Sequence, residues 1–184
     1  MDNDTRRREM QTPTLSSLRT RGVVAAPTRE FLAFRLGDED YAIDIFKVQE
    51  IRVFENVTRL PGAPDYIKGV LNLRGLIAPV LDLRVKFGCE QVEYGPFTVL
   101  IVLHVRDRLV ALVVDAVADV VALTEGEIKP RPEFATAVNI EYVTGLGARG
   151  ERMLILLDID KLISSQELGL FDAEQSVAAS DRAS

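Results

Sequence analysis

Few side chains in this sequence have the type and spacing to do chemistry, and each has a plainer reading beside it. The one histidine, His104, sits between Leu103 and Val105 in an apolar run with no nucleophile paired to it in sequence. A structural imidazole fits that setting better than a general base. The one cysteine, Cys89, excludes an intramolecular disulfide and argues against a zinc cluster, so a surface or half-buried thiol is expected. Gly145-Leu-Gly-Ala-Arg-Gly150 matches the dinucleotide pattern G-x-G-x-x-G, which grips pyrophosphate only between a strand and a helix. Here Met153-Leu-Ile-Leu-Leu157 follows and reads as a strand, so the glycines are expected to make a hairpin turn. Asp158-Ile-Asp160 starts like a calcium loop but lacks the third acid, the central glycine and the closing Glu. Asp115 and Asp119 read as solvated or turn-capping residues. With no phosphate-loop, zinc-protease or nucleophile-elbow motif, no enzyme, cofactor or metal chemistry is expected.

Arg74 raises a different question. It interrupts the apolar run from Gly69 to Asp82, with Gly75 beside it to relax the backbone. A guanidinium between two apolar strands is seldom left unpaired. Phosphate binding would call for a helix N-terminus or several basic neighbours, and neither is present. Glu50 and Asp82 are acids within strand-like stretches, so Arg74 reads as a paired arginine at the edge of an apolar groove.

The elements that must position such a groove are mostly strands. Phe31–Leu36 and Tyr41–Ile45 flank Gly37-Asp-Glu-Asp40 as a hairpin, and Lys47–Val53 follows with a bend. Leu71–Leu73, Leu76–Asp82, Phe97–Val105, Leu109–Val114 and Arg152–Ile159 are further strand candidates. Pro64-Asp-Tyr-Ile-Lys68 suits one helical turn, and Asp160–Phe171 a terminal helix. The chain also echoes itself. Phe34-Arg-Leu-Gly-Asp38 lines up with Leu103-His-Val-Arg-Asp107, and at the same offset Val48–Ile51 with Val117–Val120. Val80-Leu-Asp-Leu83 has a counterpart in Leu156-Leu-Asp-Ile159. Two related β units fit this pattern, with chance matching between apolar strands as the rival. Many short strands and little helix point to a pair of small barrels or a sandwich.

With 184 residues, 47% hydrophobic and 27% charged, the chain fits one domain or two small ones sharing a core. A net charge of −6 argues against general nucleic-acid binding. No stretch reaches the ~18 apolar residues of a membrane span, and the arginine-rich start has no apolar segment behind it, so a cytoplasmic protein is expected. Residues 1–29 and 173–184 read as flexible tails around a domain at residues 30–172.

Several motifs resemble one family. Val48-Gln-Glu-Ile-Arg52, Ile67-Lys-Gly-Val70, Asn72-Leu-Arg-Gly75 and Pro79-Val-Leu-Asp-Leu-Arg84 are similar to CheW, the bacterial chemotaxis coupling protein. So are Val114–Asp119, Pro132-Glu-Phe134 and Glu141–Gly147. The resemblance implies a mainly β fold of two intertwined five-stranded SH3-like barrels with a shared hydrophobic core. It also implies an adaptor without enzymatic activity or cofactor, recruited to membrane receptor arrays. There it would link the cytoplasmic tips of methyl-accepting chemoreceptors to the histidine kinase CheA. A regulatory-domain fragment of a CheA-type kinase, which shares the fold, is the alternative. By the same resemblance Val48, Glu50, Gly69, Asn72, Arg74, Gly75, Val99 and Leu100 match the receptor-binding region. Val120, Lys129, Glu133, Phe134 and Gly145 match kinase-facing positions, Lys129 standing where arginine is more familiar. The apolar members have barrel core as their plain alternative, and the glycines the needs of turns. Within these motifs Arg74 is expected to pair with Glu50.

Overall fold

Two-residue turns set the first pairings. In this computed structural model, which describes residues 24–132, 141–164 and 167–169, β1 (Thr28–Leu36) and β2 (Glu39–Asp44) meet across Gly37-Asp38. A 3₁₀ turn at Ile45–Lys47 precedes β3 (Val48–Val53), and the bend expected within that stretch is a register shift between Val48 and Glu50. β4 (Ile67–Leu73) and β5 (Leu76–Asp82) meet across Arg74-Gly75, and β6 (Val99–Val105) and β7 (Arg108–Val114) across Arg106-Asp107. In the last two turns both residues have positive φ, from 46° to 92°, the backbone whose twist matches paired strands. β8 (Ala116–Thr124), a 3₁₀ turn at Glu125–Glu127, β9 (Ile128–Pro130), β10 (Val143–Arg149) and β11 (Arg152–Leu157) complete the strands.

The strands form two sheets, ordered β8-β1-β2-β11-β10-β9 and β3-β6-β7-β5-β4. Each combines the first hairpin of one half of the chain with later strands of the other half. The joins are equivalent parallel pairs, β11 on β2 and β5 on β7. The internal echo is therefore real, and its units are exchanged: β1 corresponds to β6, β3 to β8 and β5 to β11. The second sheet has five strands, while the first gains the three-residue β9 as a sixth. Both sheets close. Thr58, beyond β3, bridges Val70 on β4 with backbone bonds of 3.0 and 2.8 Å. In the first sheet a single 3₁₀ turn carries the chain from β8 at one edge to β9 at the other, leaving few open edges.

Alternate residues feed separate cores. Leu100, Val102, Ala111 and Val113 fill the second barrel, and Ala33, Ala42, Leu154 and Leu156 the first. Their neighbours Ile101, Leu103, Leu112, Phe34 and Ile43 pack into the core shared by both barrels. Strands buried on both faces read as continuous apolar runs, as Val99–Val105 and Arg108–Val114 do.

Two helix expectations are corrected. Residues 64–68 form a hydrogen-bonded turn, Ile67 N donating to Pro64 O at 2.9 Å, and β4 already begins at Ile67. The terminal helix is not continuous. α1 (Leu83–Lys86) and α2 (Ile159–Leu162) are equivalent four-residue helices whose N-caps, Asp82 and Asp158, accept backbone N–H groups. After α2 the backbone extends at Ile163, and helix resumes at residues 167–169 on a new cap. There Ser164 N donates to Glu167 Oε2 (2.6 Å) and Glu167 N to Ser164 Oγ (3.1 Å), a reciprocal capping box.

Candidate functional site

The edge around Arg74 is built by Asn72. Its Oδ1 accepts the Gly75 N–H at 2.7 Å, closing the turn in which Arg74 holds φ 55°. That backbone aims the Arg74 guanidinium back across the barrel closure, where it donates to Glu50 Oε2 on β3 at 3.1 Å. The pair exists as expected, with Arg74 81% and Glu50 28% exposed. Asp82, the other acid considered for Arg74, is fully buried elsewhere. Val48 and Val99 are half-buried against the shared core. Leu100 is fully buried inside the second barrel, so its side chain supports the strand and does not reach a groove. Gly69 is buried too, and it is not a turn: a Cβ there would lie 2.0 Å from Thr58 O. It lets β4 touch the returning chain where the barrel closes.

Sequence reasoning missed the apolar side chains of this edge. Ile51 (45% exposed), Val53 (69%), Leu76 (60%) and Ile77 (43%) stand out from β3 and the start of β5. Beside the hairpin a groove of about 410 Å³ is lined by Gly75, Leu76, Ile77, His104 and Leu168. His104 is exposed and shares a hydrogen bond with Gln49 at 2.8 Å.

The first barrel carries a related surface. Val120 on β8, the counterpart of Ile51, is 52% exposed, and Met153, the counterpart of Ile77, is 53% exposed. Asp119, the counterpart of Glu50, pairs with Arg152 at 3.2 Å just after the β10–β11 turn. Lys129 is exposed on β9, its Nζ donating to Gly126 O at 3.0 Å. Gly145 faces its backbone: a Cβ would lie 2.5 Å from Lys129 O, so this glycine closes the first barrel as Gly69 does the second. Glu133 and Phe134 lie outside the described residues. The expected hairpin turn holds only Gly150, at φ 62°; Gly145 and Gly147 lie within β10 instead, where the chain approaches too closely for a side chain.

A buried ionic cluster was also missed. Arg84, fully buried, donates to both oxygens of Asp82 (3.0 and 2.8 Å), to Asp115 (3.0 Å) and to Glu93 O. Tyr94 O–H donates to Asp82 at 2.7 Å, and its ring lies 4.7 Å from the Arg84 guanidinium. Burial alone would raise the Asp82 pKa, but the bonds from Arg84 and Tyr94 outweigh it and hold the carboxyl below its usual range. Burial and the bond to Asp82 push Tyr94 up to about 12. The sequence signal was the lone arginine of Asp82-Leu-Arg84, directly after a fully apolar strand.

Comparison with known proteins places this geometry. A family model described as a CheW-like domain matches residues 30–167, spanning both barrels. The chain belongs to the CheW family. The chemotaxis protein CheW of Klebsiella aerogenes is 58% identical over 144 residues, 78% of this chain and 87% of the relative. That of Treponema pallidum is 35% identical, covering 85% of this chain and 94% of the relative. Among solved structures, the CheW scaffolding protein of Thermoanaerobacter tengcongensis superposes with a TM-score of 0.71 at 30% identity. That match covers 77% of this chain and 96% of the other. The two sheets described here match the CheW fold of two β subdomains.

Proposed function

We propose that this CheW-family chain is a non-enzymatic chemotaxis adaptor coupling methyl-accepting chemoreceptors to the histidine kinase CheA. The observation that carries the reading is the pair of related edges, one per barrel, each combining an acid–arginine pair with exposed aliphatic side chains. The receptor tip, a helical hairpin, docks at the Glu50–Arg74 edge, with apolar side chains in the groove and charges setting register. Asn72 and Gly75 shape that edge, Gly69 and Leu100 support it from within, and Val48 and Val99 form its floor. CheA's regulatory domain binds the surface of Val120 and Lys129, with Gly145 beneath it and Glu133 and Phe134 contributing. Each contact is small, below about 1,200 Å², and arrays of many copies at the membrane supply avidity. The adaptor works in the cytoplasm at those arrays; among the described residues no helix is long and apolar enough to cross a membrane. The named chemotaxis relatives, covered over 87% and 94% of their lengths, favour the adaptor over a kinase fragment.

The experiment is a pair of titrations, one with a receptor signalling-tip fragment and one with the CheA regulatory domain. Phe134→Ala is expected to weaken the kinase contact tenfold or more, as loss of an aromatic anchor of ~2 kcal/mol does, while receptor binding survives. A folded Phe134→Ala protein that loses both affinities together would sink the two-surface reading.

A further inference from the structure

The two copies of the internal repeat part company at one tyrosine. Tyr66 and Tyr142 are counterparts, each placed directly before a strand, β4 or β10. Tyr142 is covered by the Phe87 ring, stacked at 5.4 Å. Tyr66 is covered by charge instead: Lys86 Nζ lies 4.4 Å from its ring centroid, and its hydroxyl shares a hydrogen bond with Glu167. Lys86 Nζ also donates to Glu167 Oε1. The counterpart of Lys86 at the end of α2 is Leu162, a buried apolar residue. The ionic cluster is therefore no part of the repeat. It sits where the chain beyond α2 meets the second barrel.

Charges in such a place need partners, because the Glu167 side chain is 7% exposed and that of Lys86 18%. Burial alone would raise the Glu167 pKa, but the bonds from Lys86, the Ser164 N–H and Tyr66 outweigh it and hold the carboxyl below its usual range. Burial and the bond to Glu167 push Tyr66 up to about 12. The C-terminal turn depends on these ties. Its helical piece, residues 167–169, is shorter than one turn, and so short a helix does not hold itself. Leu168 is the one apolar side chain among its described residues, and it is buried against the core shared by both barrels. The same Leu168 lines the groove, facing Gly75, Leu76 and Ile77 on one side and His104 and Leu109 on the other.

We propose that Glu167 is a positioning residue of the receptor groove: by tying the C-terminal turn to Lys86 and Tyr66, it holds Leu168 in place as the groove's third wall. A wall built before the partner arrives spares the ordering cost at binding. The proposal rests on the reading that the receptor tip docks in this groove, while the anchoring itself is measurable without any partner.

The first measurement therefore uses the full chain alone, carrying Cys89→Ser and a nitroxide at Gly169→Cys, a position with open space around it. Glu167→Ala is expected to sharpen the label's spectrum, and an unchanged spectrum would overturn the anchoring. The second titrates the unlabelled chain with a receptor signalling-tip fragment and with the CheA regulatory domain. Glu167→Ala should weaken receptor binding about tenfold, as loss of one apolar anchor does, and leave CheA binding within about twofold. Should the alanine variant not fold, Glu167→Gln keeps an acceptor for the Ser164 N–H and should show about a threefold loss. Leu168→Ala should weaken the receptor contact similarly, and the double variant should be little worse than either single one, since both remove the same wall. Strictly additive losses, or equal losses toward both partners, would mean that Glu167 is merely structural. A parent chain that binds no receptor fragment would sink the receptor reading, and the spectrum of Glu167→Ala would still decide the anchor.

Discussion

At Arg74 a left-handed backbone and an exposed ion pair act against each other. The conformation costs a non-glycine residue about 1 kcal/mol, and the pair with Glu50 returns about 0–1 kcal/mol, so the residue is close to neutral for stability. Arg74→Ala keeps the strain and loses the pair; Arg74→Gly loses both. In denaturant unfolding, Arg74→Ala should therefore fall below the parent by no more than about 1 kcal/mol, and Arg74→Gly should match or exceed it. Both should lose receptor-fragment binding, and a double-mutant cycle with Glu50→Ala should show coupling. Additive binding losses would mean that the pair does not act as a unit. The buried charges behave differently. Asp82 has its folded pKa below the ordinary 3.8, so its contribution is complete above that pH and is lost as pH falls through the lower folded value. Acid titration should show the parent losing stability below about pH 3.8, with Asp82→Asn destabilised at neutral pH and flatter across that window. Equal acid slopes for the two proteins would exclude Asp82 as the group responsible.

Among the elements, what the sequence makes legible is what nearest neighbours decide. Gly37-Asp-Glu-Asp40 and Arg74-Gly75 announce breaks between strands because local backbone chemistry selects them, although Glu39 and Asp40 join β2 and leave Gly37-Asp38 as the turn, and the apolar runs announce strands. Gly69 and Gly145 were open to a turn reading, yet both are set by distant chain: Thr58 O in one case and Lys129 O in the other. A clue was nevertheless present. Tyr66-Ile-Lys-Gly-Val70 repeats as Tyr142-Val-Thr-Gly-Leu146, and the Tyr66 and Tyr142 carbonyls accept the N–H groups of Asp82 and Asp158 at 2.7 Å each. A glycine kept at the same place in two strands, beside a register shift in both, marks a close approach more than a turn. Gly69→Ala should lose about 2–4 kcal/mol in urea unfolding, since its Cβ meets backbone that cannot rotate away and its φ is 143°. Gly75→Ala, with open space around it, should lose less. The reverse order would contradict the closure role.

For the molecule as a whole, strand exchange could not be read from the echo, because a repeat in sequence does not say which copy its strands pair with. Exchange gives the two barrels a common core, so surfaces on separate barrels are held in a fixed relation. It also accounts for residues proposed to face partners being spread from Val48 to Gly145 while the proposed surfaces number only two. That arrangement is what an adaptor requires, and it is the central claim. The most direct measurement is CheA autophosphorylation in receptor-bearing membranes, with and without this chain, as receptor ligand is titrated. The account predicts that kinase activity follows receptor ligand only when the chain is present, and that Arg74→Ala removes this dependence while CheA binding remains. Kinase activity that follows receptor ligand equally well without the chain, or ignores ligand in its presence, would contradict it.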